Sequence, residues 1–207
     1  MTDKIKFYYE EGLNSSNRVK WCLDYKNIEY ELINTNDIDI EEYKKINPFV
    51  RIPGMLFNNT PLSESVAMIE LIEETFPNPS LFPDSKIARA KVREVCEIIN
   101  ATIHPVQNSK VPVFFIPSLN KQEITFYRIN WIKQNLEKLL PILFLNSKFA
   151  IGNSFTAADI FLICIYFKAL ELGMEKDLFS LLNEHIEHCL SFPEIKKSCP
   201  IEVLNKS

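Results

Sequence analysis

The stretch NPFVRIPGM, residues 47–55, decides the fold together with SESVAMIELIEETFPNPSLFP, residues 63–83. Two short strand-like runs, residues 55–57 and 60–62, flank Asn58-Asn59, and asparagine tolerates the positive φ of a two-residue hairpin turn. After this hairpin, apolar side chains recur at the spacing of a helix face. The two segments therefore predict an antiparallel hairpin followed by an amphipathic helix.

The residues before this stretch complete a small mixed sheet. Residues 5–9 are β-branched and aromatic, as in a strand, and residues 28–33 alternate between apolar and polar. Residues 18–25 and 38–46 carry helical patterns between them. The order strand, helix, strand, helix, hairpin, helix predicts parallel strands joined by a helix and closed by an antiparallel hairpin.

The residues after this stretch predict a second, different domain. Residues 76–85 contain three prolines and no helical period, which is typical of a linker. All later patterned segments are helical, over residues 86–104, 121–145, 156–173 and 177–190. We therefore predict an α/β domain over residues 1–82 and an all-α domain over residues 83–207.

Composition excludes several classes of partner. Hydrophobic residues make up 46 % of the 207 positions and charged residues 24 %, which is ordinary for a soluble protein. The net charge of −4 gives no basic footprint for nucleic acid or an anionic membrane. Residues 1–6 lack the apolar core of a secretory signal, and residues 160–167 are much shorter than a membrane span of about 20 residues. We predict a cytoplasmic protein that binds neither nucleic acid nor membrane.

The cysteines and histidines predict no metal. The five cysteines form no C-x-x-C pair, so neither a disulfide framework nor a zinc site is indicated. His185 and His188 share a helix face, but the sequence shows no third ligand near them.

Three segments offer polar groups to a ligand, and each also has a purely structural interpretation. A cis bond at Ile52-Pro53 would turn the backbone N–H and C=O of Ile52 outward to pair with an extended peptide. Taken alone, however, the dipeptide favours a trans turn, since only about 5–6 % of X-Pro bonds are cis.

The second segment is Ser63-Glu64-Ser65, which opens the predicted helix. There Ser65 could hold a carboxylate and Glu64 an ammonium group, because the first N–H groups of a helix lack partners and its dipole favours anions. Alternatively, Ser63 is an N-cap and Glu64 compensates the dipole.

The third segment lies between the first strand and the first helix. A hydroxyl of Ser15 or Ser16, or the amide of Asn14, could hydrogen-bond a bound thiolate there and lower the pKa of that thiol. Alternatively, Ser15 or Ser16 only caps the helix.

Two further motifs lie in the helical half. Thr156 and Asp159 have the spacing of a capping box before an almost wholly apolar helix, which we expect to be buried. His104 precedes Pro105, which we expect to end the first long helix of this half.

Together these motifs resemble the soluble glutathione transferases. The resemblance implies a thioredoxin-like βαβαββα domain that binds glutathione, followed by an all-helical domain that binds the second substrate. In that family the proline matching Pro53 is cis, and the residue matching Ile52 pairs with the cysteinyl backbone of glutathione. The residues matching Glu64 and Ser65 hold the γ-glutamyl group.

A shorter run resembles the zeta class, which includes maleylacetoacetate isomerases. IHPVQN, residues 103–108, is similar to the IQPLQN run of that class and implies glutathione contacts by His104 and Asn108. Residues 13–18 match the SSCSWR-type run, which makes Asn14, Ser15 and Ser16 the candidate catalytic residues.

This chain departs from the zeta pattern at four positions. Leu13 stands where the class has the serine credited with activating the thiol, and Ser15 stands where the class has cysteine. Gly12 replaces an arginine, and Glu171 replaces another that is thought to receive substrate carboxylates. Because an acid there would repel a dicarboxylate, we expect glutathione binding to survive these changes better than the isomerase activity.

The resemblance implies an enzyme that adds the glutathione thiolate to an electrophile, with glutathione as cosubstrate. One form of that chemistry is cis–trans isomerisation of a maleylacetoacetate-like acid. The alternative is a non-catalytic binding or regulatory protein on the same fold. The family also implies a homodimer, in which Phe49 is either an apolar contact or an ordinary core residue.

Overall fold

The computed structural model describes residues 3–12 and 14–200. Within this part of the chain, residues 3–12, 14–81 and 194–200 form one compact unit and residues 82–193 form a second. No helix of the described residues is both long and apolar enough to cross a bilayer.

The first unit contains a four-stranded mixed sheet. Its strands are β1 Ile5–Tyr9, β2 Glu31–Asn34, β3 Gly54–Phe57 and β4 Thr60–Ser63, in the spatial order β2-β1-β3-β4. β1 runs parallel to β2 and antiparallel to β3, and β3 pairs antiparallel with β4. Asn58 and Asn59 have φ values of 49° and 66° in the turn between β3 and β4. The predicted sheet and its hairpin are confirmed.

Ten α-helices occur in the described residues. They are α1 Asn14–Tyr25, α2 Ile40–Lys44, α3 Ser65–Thr75, α4 Lys86–Glu97, α5 His104–Gln107, α6 Lys110–Phe115, α7 Lys121–Leu139, α8 Ala157–Glu171, α9 Ser180–Leu190 and α10 Pro193–Ser198. The order and class of the elements confirm the predicted fold, an α/β sheet region followed by helices.

The core of the first unit forms between α1, α3 and the strands. Phe7 and Met55 lie opposite each other on β1 and β3, and both are completely buried. α1 packs against α3, with Trp21 and Met68 also completely buried. Burial of each such side chain contributes about 1.5–3 kcal/mol, so the sheet and these two helices form a stable frame for the loops at their ends.

The first long helix of the second unit continues past its proline. A π-helical stretch, Ile98–Ile103, joins α4 to α5, and α5 runs through Pro105 to Gln107. The expectation that Pro105 ends this helix is therefore wrong. Proline lacks an N–H and its ring crowds the preceding turn of a helix, and a wider π turn is one way in which a helix continues through such a residue.

α8 is the buried axis of the second unit. It packs against α4, α7 and α9, and most of its residues are buried. At its start, the backbone N–H and the hydroxyl of Thr156 donate to Asp159 Oδ2 at 2.7 and 2.8 Å. The bond from the Thr156 N–H to the Asp159 carboxylate confirms the capping box that the spacing predicted.

Candidate functional site

The loop before β3 is held by its own side chains. The peptide bond Ile52-Pro53 is cis, so the trans turn favoured by the dipeptide alone is wrong and the geometry that the resemblance implied is observed. Asn47 is buried, accepts from the Phe49 N–H at 3.1 Å and donates from Nδ2 to the Arg51 carbonyl at 2.7 Å. The Tyr43 hydroxyl donates to the same carbonyl at 2.6 Å. These bonds fix the backbone that leads into Ile52.

Gly54 allows this loop to pack against α2. A Cβ at this position would lie 2.8 Å from the Tyr43 hydroxyl and 3.2 Å from Ile46 Cγ2, closer than atoms in contact normally approach. Gly54 is also directly opposite Ser63 in the β3–β4 ladder. This register brings the residues after Pro53 beside the end of β4 and the start of α3.

Ile52 offers main-chain groups next to α1. Its carbonyl oxygen accepts from Ser15 Oγ at 2.9 Å. Within residues 3–12 and 14–200, the Ile52 N–H has no hydrogen-bond acceptor. Ser15, from the first turn of α1, is therefore the candidate catalytic residue that contacts the cis-proline loop.

The two neighbours of Ser15 are enclosed. Asn14 Oδ1 accepts from Arg18 Nε at 2.8 Å, and both residues are buried. The Ser16 hydroxyl is buried without a hydrogen-bond partner among the described residues. Leu13, a departure noted in the sequence, lies outside the described residues.

The start of α3 carries the second part of the site. Glu64, not Ser63, is the N-cap, and its φ of 72° lies in the left-handed region. A non-glycine residue in that region costs about 1–3 kcal/mol, and such strain is found preferentially at ligand sites. Ser65 is the first helical residue and is 3 % exposed.

The charges at this helix start suit a zwitterion. The N–H groups of the first turn of α3 have no intrahelical partners, and the helix dipole adds positive potential, so the start of α3 favours a carboxylate. The Glu64 side chain is exposed beside it and can receive an ammonium group. Together with Ile52 and Ser15, these residues form the candidate site of the first unit.

The second unit holds the other two predicted ligand residues. His104 begins α5 and is half-buried. Asn108 follows α5, and its Oδ1 accepts from the Lys110 N–H at 3.0 Å. Between them, Gln107 Oε1 is buried with no partner among the described residues, while the Gln107 carbonyl accepts from Arg128 Nε at 2.5 Å.

The departures at Gly12 and Glu171 have different surroundings. Gly12 has a φ of 75° in open space, so the backbone rather than crowding favours glycine there. Glu171 Oε1 lies 3.1 Å from Lys168 Nζ. Burial lowers the pKa of Arg128, and the nearby charge of Glu171 opposes that shift.

Sequence reasoning missed a buried cluster below the start of α8. His185 Nδ1 lies 2.8 Å from the Lys148 carbonyl, and its Nε2 lies 3.6 Å from Asp159 Oδ1. Cys189 Sγ is 3.6 Å from His185 Nδ1. The i, i+4 spacing of His185 and Cys189 was visible in the sequence, but their proximity to Asp159 was not. Because Asp159 also holds Thr156 through two bonds, this cluster stabilises the start of α8.

An apolar groove opens on the second unit. Its volume is about 590 Å³, and it is lined by Val106, Val111, Pro112, Phe115, Ile116, Leu119, Phe126, Tyr127, Asn130, Trp131 and Gln134. Phe115 lines the groove, and Phe114 beside it is 79 % exposed.

Comparison with known proteins identifies relatives over nearly the whole chain. A family model described as "Glutathione S-transferase, N-terminal domain" matches residues 12–80. Maleylacetoacetate isomerase of Dictyostelium discoideum is 30 % identical over 211 residues, covering 97 % of this chain and 95 % of the relative. Probable maleylacetoacetate isomerase 1 of Drosophila melanogaster is 31 % identical over 154 residues, which cover 70 % of this chain and 61 % of that protein.

Solved structures share the fold. The crystal structure of maleylacetoacetate isomerase from Methylobacterium extorquens AM1, with bound malonate and glutathione, superposes with a TM-score of 0.84. It is 22 % identical, and the match covers 95 % of this chain and 97 % of that one.

Proposed function

Because the chain belongs to the glutathione S-transferase family, within its zeta class of maleylacetoacetate isomerases, we propose that it binds glutathione and adds the thiolate to an electrophilic carbon of a small acid. Cis–trans isomerisation of a maleylacetoacetate-like acid is the form of this chemistry that the names of its relatives suggest.

The pairing of Gly54 with Ser63 in the β3–β4 ladder is the observation that best supports the proposal. It places the cis bond Ile52-Pro53 near the strained start of α3. There the Glu64 carboxylate can receive the ammonium group of a γ-glutamyl moiety, and the Ser65 hydroxyl and the helix N-terminus can donate to its carboxylate. We assign the cysteinyl backbone of glutathione to Ile52. His104 and Asn108 are proposed as further glutathione contacts from the second unit.

Isomerisation needs no redox cofactor and no metal. The thiolate forms a C–S bond at one alkene carbon, and the alkene electron pair moves onto the conjugated carbonyl oxygen as an enolate. The former double bond is now single and rotates. Elimination then breaks the C–S bond, returns the electron pair to the alkene and regenerates the thiolate, so no proton is consumed.

Titration calorimetry with glutathione tests the proposal directly. We expect the wild type to bind glutathione saturably. We also expect it to convert a maleylacetoacetate analogue when glutathione is present and not when glutathione is left out. A wild type that releases no heat at millimolar glutathione would contradict the proposal. That outcome would favour the non-catalytic binding protein.

Among the three candidates for thiol activation we propose Ser15. Its hydroxyl is half-buried and already donates to the Ile52 carbonyl, beside the proposed place of the cysteinyl group. Asn14 and Ser16 are both enclosed. Because the hydroxyl has a single proton, it must turn from the Ile52 carbonyl to the sulfur when glutathione binds. A hydroxyl that donates to the sulfur favours the thiolate, so it lowers the pKa of the bound thiol.

Replacing Ser15 by alanine tests this role. We expect kcat/KM to fall by about tenfold or more, because hydrogen bonds to charged groups contribute about 1.5–3 kcal/mol. The pKa of bound glutathione, followed by thiolate absorbance, should rise. Ser15→Cys restores the residue of the zeta pattern and should recover activity. An unchanged thiol pKa in Ser15→Ala would remove Ser15 from the mechanism, with Asn14→Ala and Ser16→Ala as the next variants.

We also propose a homodimer in which Phe49 is an apolar contact. Phe49 is 78 % exposed on a loop that Asn47 holds in place, so the alternative of a core residue loses its support. Exposed aromatic side chains on ordered loops are enriched at protein interfaces.

Sedimentation equilibrium tests the dimer. We expect a dimer for the wild type at micromolar concentration, and a dissociation constant at least about tenfold weaker for Phe49→Ala, as for an aromatic residue central to an interface. Phe114→Ala removes an equally exposed aromatic, at 79 %, and serves as the control. A monomeric wild type would contradict the proposal.

Location and domain roles complete the proposal. We propose that residues 1–82 are the glutathione-binding domain, that residues 83–207 bind the second substrate, and that the protein works in the cytoplasm. All five cysteines are buried as thiols, which is compatible with a reducing compartment.

A further inference from the structure

A buried histidine joins three segments of the second unit. His185 of α9 is 1 % exposed, and its Nδ1 lies 2.8 Å from the carbonyl oxygen of Lys148. On the other side of the ring, Nε2 lies 3.6 Å from Oδ1 of the fully buried Asp159. The imidazole therefore bridges the loop before α8 and the first turn of α8.

The Lys148 contact fixes the hydrogen on one ring nitrogen. A carbonyl oxygen can only accept, so the hydrogen of this bond is on His185 Nδ1. In a neutral imidazole the other nitrogen, Nε2, then carries a lone pair and no hydrogen. Nε2 therefore needs a donor on the side where Asp159 lies.

Asp159 is already an acceptor through both of its oxygens. Oδ1 accepts from the Ala150 N–H at 2.7 Å, and Oδ2 accepts from the Thr156 N–H and hydroxyl at 2.7 and 2.8 Å. If Asp159 were ionised and His185 neutral, an oxygen lone pair would face a nitrogen lone pair with no hydrogen between them. Two buried acceptors in that arrangement are unfavourable, because neither can supply the hydrogen that the other needs.

Neither water nor the nearby thiol fills this gap. A water that bridged two acceptors would need about 4.5–5.5 Å between them, so 3.6 Å is too short. Cys189 Sγ lies 3.6 Å from His185 Nδ1 and 3.9 Å from Nε2. These nearly equal distances place the thiol over the face of the ring, because a donor aimed at the Nε2 lone pair would lie much farther from Nδ1.

We propose that this pair is a buried binding site for one proton, which the folded protein holds between Asp159 Oδ1 and His185 Nε2 and the unfolded chain releases above about pH 6.5. With the proton on Asp159, the carboxyl donates to Nε2 and both residues are neutral. With the proton on His185, an imidazolium is paired with a carboxylate. Both arrangements put one hydrogen in the gap, so the proton belongs to the pair.

Burial favours the neutral arrangement. It raises the pKa of Asp159, and the charge of His185 and the hydrogen bonds from Ala150 and Thr156 oppose that rise. Burial also lowers the pKa of His185, against the charge of Asp159 and with that of His188. Other titratable groups near the pair are Cys189 and the exposed ion pair of Lys148 and Glu184, in which Nζ lies 3.9 Å from Oε2.

The site makes folding consume a proton in one range of pH. Ordinary pKa values are about 3.9 for Asp and 6.5 for His, so between them the unfolded pair also holds one proton and stability does not depend on the site. Above about pH 6.5 the unfolded pair is empty and the folded site is filled, so stability falls as pH rises. Below about pH 3.9 the unfolded pair holds two protons, so stability falls as pH falls.

Urea unfolding between about pH 6.5 and 8.5 tests the proposal, with Asp159→Asn as the variant. The amide keeps an oxygen for Thr156 and offers Nε2 a permanent hydrogen that no pH change removes. The ratio of the unfolding constants, wild type to variant, should rise by up to about tenfold per pH unit, the value for one proton. Only the pH dependence of this ratio counts, so an equal loss of stability at every pH leaves the test intact.

His188→Gln is the matched control. It removes a histidine of the same helix whose ring packs against Phe149 and Phe192, with centroids 4.7 and 5.2 Å apart, and we expect its ratio to the wild type to stay constant over this range. A constant or falling ratio for Asp159→Asn would overturn the proposal. Because no glutathione is involved, that result would leave the proposed function untouched.

Carbon and nitrogen NMR of the wild type tests the site without any variant. At neutral pH we expect a hydrogen on the Asp159 carboxyl or hydrogens on both nitrogens of His185. An ionised Asp159 beside a neutral His185 would overturn the proposal. Metal analysis that finds one zinc ion per chain would overturn it too, because a cation would then occupy the gap.

Discussion

Replacing Ser65 by alanine is expected to weaken glutathione binding by about 10- to 100-fold, which corresponds to the loss of one hydrogen bond to a charged group. Ser65 is the first residue of α3, so its N–H lacks an intrahelical partner, and we propose that this N–H and the Ser65 hydroxyl donate to the γ-glutamyl carboxylate. The residue is only 3 % exposed, so water replaces that hydroxyl poorly. Titration calorimetry on the wild type and the variant measures the difference.

Ser63→Ala is the matched control for this prediction. Ser63 lies two residues earlier, at the end of β4, and it is not the N-cap of α3. We expect its affinity for glutathione to stay within about twofold of the wild type, as for a substitution away from the ligand. Equal binding by Ser65→Ala and the wild type would show that glutathione does not use the start of α3.

Replacing Lys26 by methionine should cost about 3–5 kcal/mol of the free energy of unfolding, the usual loss when one partner of a buried ion pair is removed. The Lys26 and Glu73 side chains are 0 % and 5 % exposed, and Nζ lies 2.7 Å from Glu73 Oε2. Lys26 Nζ also donates to the carbonyls of Phe76 and Pro79 at 2.8 and 2.6 Å. The variant leaves the buried Glu73 carboxylate without its counter-ion, although Ser80 Oγ and the Leu81 N–H still donate to it.

Urea unfolding of paired variants measures this effect. Lys20→Met breaks an ion pair that lies within α1. In this pair Lys20 Nζ lies 2.6 Å from Asp24 Oδ2, and both side chains are about one quarter exposed. Exposed pairs contribute about 0–1 kcal/mol, so this control should change stability little. Adding Glu73→Gln to Lys26→Met should recover part of the loss, because it removes the buried charge. Equal losses for Lys20→Met and Lys26→Met would contradict the prediction.

Signals that lie close together in the sequence predicted most of the fold. The hairpin followed from Asn58-Asn59, and the buried α8 followed from its capping box and its apolar run. The start of α1 was predicted at residue 18 but lies at Asn14, because the polar run before it is typical of a loop. Asn14, Ser16 and Asn17 are nevertheless buried, and only the tertiary structure provides that burial.

The candidate site was predictable in its residues but not in its contacts. The resemblance supplied Ile52, Glu64 and Ser65, yet the bond from Ser15 to Ile52 joins positions 37 residues apart. Arg128 carries no motif, and its relation to Gln107 and Glu171 arises only when separate helices pack. The charge at a single position, such as Glu171, is a poor guide to its surroundings, because Lys168 of the same helix pairs with it and the Arg128 cation of α7 interacts with it.

The helix α10 has a consequence for how the protein is made. The indole N–H of Trp21 donates to Ser198 Oγ at 3.2 Å, across 177 positions of the chain, and residues 194–200 group with the first unit. During synthesis, the sheet and α1 leave the ribosome long before α10 does. The first unit therefore begins to fold first but acquires its last packed segment only after all of the second unit has been translated. A fragment that stops at residue 82 would lack that segment.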